Sequence, residues 1–126
     1  MPIKQTRRVN KRPAPITAYH VHVYYDPRKT RTRAARLRRS VAQKFPRAKL
    51  GRWHDELVGP HTQSMYQIAF TNELFPTLVP FIALNRQDLA VLVHPNTRRA
   101  LDDHLLHAMW MGEVLPINPD VLRNEE

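Results

Sequence analysis

Seven histidines (His20, His22, His54, His61, His94, His104 and His107) stand in a chain of 126 residues that has no cysteine. Any metal site in it must therefore use nitrogen and oxygen donors. His20 and His22 lie in the run AYHVHVYY, where apolar and polar residues alternate with period two. On a strand, residues i and i+2 point to the same side, so both imidazoles can reach one ion. His94 closes a second apolar run, LAVLVH. Three neutral imidazoles with open positions suit iron, zinc or copper rather than magnesium. An ordinary half-buried pair of strand histidines, or an interface feature, fits His20 and His22 taken alone.

The other polar candidates are less determined. His61 follows Gly59 and Pro60 in a turn, where it is open to being a ligand, a substrate contact or neither. His104 falls on a short helical stretch, as a general acid or base near neutral pH or simply as a helix residue. His54 and His107 read as surface positions. Tyr24 and Gln67 alternate onto the same strand face as the histidine pair and are candidate substrate contacts. Trp110 and Trp53 are open to lining an aromatic pocket or to packing. Asp102 and Asp103 are helix residues first and catalytic candidates second.

The elements that must position these residues follow from periodicity. Ala18 to Tyr25 is a strand with Val21 and Val23 on one face and His20, His22 and Tyr24 on the other. Asp26 and Pro27 form a helix start, and Ala34, Leu37, Val41, Ala42 and Phe45 recur at helical spacing up to Pro46. Leu50 to Val58 reads as a second strand interrupted by Gly51, and Ser64 to Thr71 as a third. Leu74 to Arg86 reads as a helix weakened at its start by Pro76 and Pro80. Leu89 to His94 is a fourth strand. Thr97 caps a last helix, Arg98 to Met111, ended by Gly112, and Glu113 to Glu126 reads as an irregular tail. The order β-α-β-β-α-β is an α+β, ferredoxin-like pattern. Right-handed crossovers put both helices on one sheet face and the strands in the order fourth, first, third, second. The fourth strand then runs antiparallel beside the first, and His94 arrives next to His20.

Composition bounds the rest. A chain of 126 residues with 42% hydrophobic content builds one core, not two. Residues 1–15 are basic and proline-punctuated and read as a disordered tail, leaving 16–126 as a single domain. Net charge is +9, spread unevenly: Met1 to Leu50 has fifteen Lys and Arg against one acid, and the remainder five against ten. A basic half raises a nucleic-acid binder as a rival reading. The RNA-binding version of this fold stacks bases on sheet aromatics, however, and this face holds histidines and Ala69. No specific nucleic acid is expected, nor a membrane, since no apolar run spans a bilayer. A non-catalytic dimeric metal-binding module is the third reading. The lack of cysteine and of a leader-like start fits a cytoplasmic protein.

The runs YHVHVYY, VGPH, LNRQDLAVLVHP and DDHLLHAMWMG, in this order, resemble the DOPA 4,5-dioxygenase family from about Ala18 to Leu115. The resemblance implies a ferredoxin-like domain and extradiol cleavage of a catechol such as DOPA with dioxygen; separately, ferredoxin-like domains with an open sheet face often dimerise through it, so a homodimer is expected. The implied cofactor is non-haem Fe(II), with zinc or another divalent ion able to take its place in the isolated protein. By the match His20 and His22 take the family's paired strand positions, His61 its GPH position, His94 its VHP position and His104 its DH position; with the metal on His20, His22 and His94, His104 or His61 would shuttle the proton. Two departures stand out: Thr62 follows His61 where proline is usual, and Arg98 and Arg99 follow Thr97 where the family shows a threonine-glycine pair.

Overall fold

The computed structural model describes residues 15–125, so all but the last residue of the expected N-terminal tail lies outside the described residues. Among the described residues are five strands and three α-helices: β1 (Ala18–Tyr25), α1 (Arg31–Lys44), β2 (Lys49–Leu50), β3 (Ser64–Thr71), α2 (Phe75–Asn85), β4 (Val91–Pro95), α3 (Ala100–Leu105) and β5 (Met109–Met111). The strands form one antiparallel sheet in the order β2-β3-β1-β4-β5. The first four strands take the ferredoxin-like order expected from the crossovers.

Alternation along β1 divides the molecule. Val21, Val23 and Tyr25 join Tyr66, Ile68, Phe70, Val91 and Val93 in a core closed by Ala34, Leu37 and Val41 of α1 and Leu78 and Ile82 of α2. These apolar faces draw both helices onto one side of the sheet, at roughly 1.5–3 kcal/mol for each large side chain buried. The opposite side holds a smaller cluster of Tyr24, Met65, Leu92 and Leu115, with Trp110 and Ile117 packed against it. The histidines of β1 and β4 belong to this second side.

Several boundaries differ from the sequence reading; β4, expected from Leu89 to His94, runs Val91–Pro95 because Leu89 N–H closes a turn to Arg86 C=O instead. The first helix starts at Arg31, not at Asp26 and Pro27. The Asp26 carbonyl accepts from the Lys29 and Thr30 amides and its Oδ1 from the Arg28 amide, closing a separate turn before the helix. β2 keeps two residues rather than nine. Beyond Leu50 the chain still follows β3, through Gly51 N–H to Gln67 C=O at 2.7 Å and a bridge from His54 to Met65, without a regular ladder. Gly51 runs so near β3 that a Cβ there would sit 3.3 Å from the Gln67 carbonyl oxygen.

The last helix is six residues long and does not reach Met111. Met109–Met111 leaves it to pair with β4, where Trp110 joins the histidine side and Met111 the helix side. The stretch expected to be helical is an edge strand, and its pairing covers the edge β4 would otherwise expose. The segment after Gly112, expected to be irregular, is a strap. Asn118 N–H donates to Pro60 C=O at 2.8 Å, Ile117 bridges His61, and Glu125 N–H donates to Arg98 C=O at 2.8 Å. Pro76 falls in the first turn of α2, where no backbone donor is needed, so the helix starts at Phe75, one residue later than expected. Among the described residues no helix is long and apolar enough to cross a membrane.

Candidate metal centre

Register builds the site before any side chain is considered. His20 lies directly opposite His94 on β4, and His22 opposite Leu92. Opposite residues on antiparallel strands share a face, so three imidazoles meet at one end of the β1–β4 pair. The His22 and His94 Nε2 atoms are 3.1 Å apart, and the rings of His20 and His94 lie 5.4 Å apart.

Two further histidines arrive from outside the sheet. His61 sits on the Gly59–Pro60 turn, where Gly59 has φ +57, a left-handed conformation that glycine adopts at no steric cost. The strap holds this turn over the sheet: Thr62 Oγ1 donates to Pro116 C=O at 2.8 Å, beside the Asn118–Pro60 bond. The His61 ring then lies 4.1 Å from that of His22. His104, on α3, lies 4.0 Å from His94 and 6.0 Å from His61. α3 is docked by Asp103, whose buried carboxylate accepts from the Thr97 amide at 2.7 Å and from the Thr97 hydroxyl at 2.9 Å.

Five histidines therefore converge, in two overlapping groups that share His22. His20, His22 and His94 form one, and His22, His61 and His104 the other; within each group one ligand atom per residue lies within 4.8 Å of the others. Neither group contains a carboxylate. Asp103, the acid nearest in sequence, is committed to Thr97, and its charge reaches the cluster only by opposing the lowering of the His20 pKa.

Hydrogen bonds decide the tautomers. A carbonyl only accepts, so His94 donates Nδ1–H to Pro95 C=O at 2.6 Å and His104 donates Nδ1–H to Ala100 C=O at 2.8 Å. Both rings thus present a bare Nε2 lone pair to the cluster, the arrangement in which a backbone carbonyl orients a metal-ligating imidazole. The buried Nδ1 of His22 has no hydrogen-bond partner. An orphaned buried nitrogen among convergent lone pairs fits a cation taking up the surplus acceptors.

Burial sets the protonation states. His22 lies well below the usual imidazole value, from burial first and the neighbouring histidines second. The same causes lower His94 to about 3, with His104 the leading neighbour, and His61 to about 4. At neutral pH these rings are uncharged, as ligands must be. Tyr24 is buried, its hydroxyl is 2.7 Å from His61 Nδ1, and burial holds its phenol protonated. If the phenol donates, the His61 proton sits on Nε2; if it accepts, Nε2 is free as a ligand. Tyr24→Phe should leave His61 Nδ1 unpartnered and cost about 1–2 kcal/mol, read by urea denaturation. An unchanged midpoint would show that the bond does not hold the turn.

The remaining candidates divide. Gln67 is half-buried on the histidine face, directly opposite His22. Trp110 stacks on Tyr24 at 5.8 Å and packs in the smaller cluster. Trp53 lies on the helix side, against Tyr25 and Tyr66, with the Arg31 guanidinium 4.0 Å above its ring, so it lines no pocket with the histidines. Asp102 is held by Arg99 and by the Asn124 side chain. His107 is exposed, as expected. His54, expected at the surface, is half-buried and near enough to His61 to help lower its pKa. No side-chain pattern announced His54 or the Asp103–Thr97 pair; both depend on the path of irregular segments.

Comparison with known proteins agrees with this geometry. Residues 19–121 match the Dopa 4,5-dioxygenase family. The chain is 31% identical over 112 residues to a DOPA 4,5-dioxygenase of Amanita muscaria, a match covering 82% of this chain and 48% of that protein. It is 35% identical over 116 residues to an uncharacterized 21.2 kDa protein of Botryotinia fuckeliana, covering 84% and 63%. The chain thus spans about half to just under two thirds of the length of these relatives. A crystal structure from Nostoc punctiforme, assigned as that of a dioxygenase, superposes with a TM-score of 0.80 at 42% identity, covering 84% of this chain and 90% of that one. Fold, histidine cluster and sequence together place the chain: it belongs to the Dopa 4,5-dioxygenase family.

Proposed function

We propose that this chain is an extradiol dioxygenase that cleaves the ring of a catechol such as DOPA or a related dihydroxyphenyl compound, with His20, His22 and His94 as the ligands of a non-haem ferrous ion. The carrying observation is the convergence of five histidines on one sheet face, with His94 and His104 both held by backbone carbonyls in the tautomer that bares Nε2. Bound there, ferrous iron supplies a Lewis acid for the catechol oxygens and an electron source for dioxygen. Zinc, which the same nitrogen donors accept, is an expected occupant of the isolated protein.

The chain's own residues carry the rest. Overall, both atoms of dioxygen enter the product and the ring bond beside the diol breaks, giving a yellow semialdehyde. A catechol must lose hydroxyl protons to bind through its oxygens. His104 Nε2, with its lone pair bare and its ring 4.0 Å from His94, is placed to accept one. His61, steered by Tyr24, is the second proton handler and flanks His22. Gln67, opposite His22, offers an amide to a substrate hydroxyl, and Trp110 an aromatic wall at the β5 side. A homodimer through the open sheet face, as ferredoxin-like domains often form, is part of the reading.

The test is anaerobic reconstitution with ferrous iron, then air and a catechol panel. A yellow product is expected from wild type. His104→Ala should keep one equivalent of metal and lose turnover by ~100- to 10,000-fold. Bound iron with no ring-opened product from any catechol would refute the reaction. Loss of metal in His104→Ala would move His104 into the ligand set.

A further inference from the structure

The register that brings His20 to His94 also extends the other way across the sheet. Lys49 of β2 is paired with Ala69 of β3, and Ala69 with His20 of β1. Opposite residues share a face, so Lys49, Ala69, His20 and His94 form one row on the histidine side. Two strand spacings separate Lys49 from His20, about 10 Å between backbones. Ala69, between them, is small and leaves the floor of the row low.

A cleft of ≈ 210 Å³ opens at this place. His20, Arg47, Lys49, Ala69, Phe70 and Asn96 are among the residues that line it. It shares His20 with the metal cluster, and its far rim is cationic. Among the described residues no carboxylate lies within 4.0 Å of the Lys49 or Arg47 side-chain nitrogens. Arg47 is among the groups that lower the Glu73 carboxyl, whose main hydrogen bond comes from Thr71. Lys49 thus projects a charge that no carboxylate among the described residues pairs with.

We propose that Lys49, assisted by Arg47, is the residue that binds the carboxylate on the substrate's aliphatic arm. The inference rests on the catechol reading above and adds the residues that hold and orient the substrate's arm. A ring whose diol faces His20, His22 and His94 would lie over Ala69 and point its arm toward β2. A carboxylate there meets an ammonium and a guanidinium, and such charge-assisted bonds are stronger than neutral ones. The contact is open to solvent, so it gives selectivity rather than large affinity and weakens with salt.

The test measures binding and turnover separately. Binding of 3-(3,4-dihydroxyphenyl)propionate, neutral 4-propylcatechol and cationic dopamine is read by tryptophan fluorescence on the full chain loaded with zinc, without oxygen. Wild type should prefer the anion over the neutral catechol by about tenfold at low salt. In Lys49→Met that ratio should fall toward one, in Lys49→Arg it should persist, and in Lys49→Glu dopamine should become the preferred ligand. Added salt should shrink the wild-type ratio. Equal affinity of wild type for the anionic and neutral ligands, or an unchanged ratio in both Lys49→Met and Lys49→Glu, would overturn the assignment. Ring cleavage by the iron-loaded protein is scored apart. Cleavage of anionic and neutral catechols with equal kcat/KM would refute the carboxylate site and leave the reaction standing. Selective binding of the anion without cleavage by the iron form would refute the reaction and leave the subsite standing. No binding of any catechol would refute both.

Discussion

Replacing His22 with alanine should abolish stoichiometric metal binding, because His22 is the one residue common to both histidine groups. Its ring touches the first group through His94, with Nε2 atoms 3.1 Å apart, and the second through His61, with ring centres 4.1 Å apart. Loss of one ligand from a three-imidazole site should cost roughly a hundredfold or more in affinity. The two groups then separate by their other members. If the ion sits with His20, His22 and His94, His94→Ala should be as damaging as His22→Ala, while His61→Ala keeps the metal. The reverse pattern would put the ion on the turn and on α3. Equilibrium dialysis with zinc and ferrous iron reads the stoichiometry, and far-UV circular dichroism shows whether each variant folds. His107→Ala, exposed, is the control; His54 is not, because it lies near His61. One full equivalent bound by His22→Ala would remove the cluster from consideration as the metal centre.

Acid should destabilise the metal-free protein well before its carboxylates titrate. His94 and His61 are lowered from 6.5 to about 3 and about 4, by burial first and by neighbouring histidines second. His22 is lowered in the same direction. Between these values and 6.5 the unfolded chain binds protons that the folded chain does not, so stability rises with pH through this window. The contribution is whole above about pH 6.5 and is lost as pH falls toward 4 and then 3. Because the rings are coupled, the shifts do not add, and a loss of about 2 kcal/mol or more between pH 7 and pH 4 is the expected scale. Urea denaturation at stepped pH measures it. His94→Asn should flatten the slope and His107→Asn should not. Stability independent of pH across that range would show that the rings are not buried as neutral groups. The same protonation states imply that metal binding at pH 7 displaces few protons from His22, His61 and His94.

Much of the site was legible because its first members lie on regular elements. A period of two puts His20 and His22 on one face, and the β-α-β-β-α-β order brings β4 beside β1 with His94 opposite His20. Both statements need only local alternation and the handedness of crossovers. The division between the helix side and the histidine side was legible for the same reason, since Val21 and Val23 alternate with His20 and His22. The family resemblance placed His61 and His104 in the site, which spacing alone left open.

Other features depend on contacts between segments distant in sequence. Periodicity assigned Met109–Met111 to a helix, and its pairing with β4 made it a strand. Three residues hold too little periodic information to resist an open sheet edge that offers hydrogen bonds. The C-terminal segment shows no regular pattern at all, yet its bonds to Pro60 and Thr62 hold the turn that brings His61 over His22. His54 and the Asp103–Thr97 pair came from the same source, as did the tautomers of His94 and His104, which two backbone carbonyls decide. The sequence by itself determined the order of the first four strands, the two sheet faces and the first three imidazoles, since periodicity and chain order are properties of the chain alone. Only the tertiary structure decided how five rings meet, which nitrogens are bare and where the cationic cleft opens, because those depend on irregular segments whose conformation is set by what they pack against.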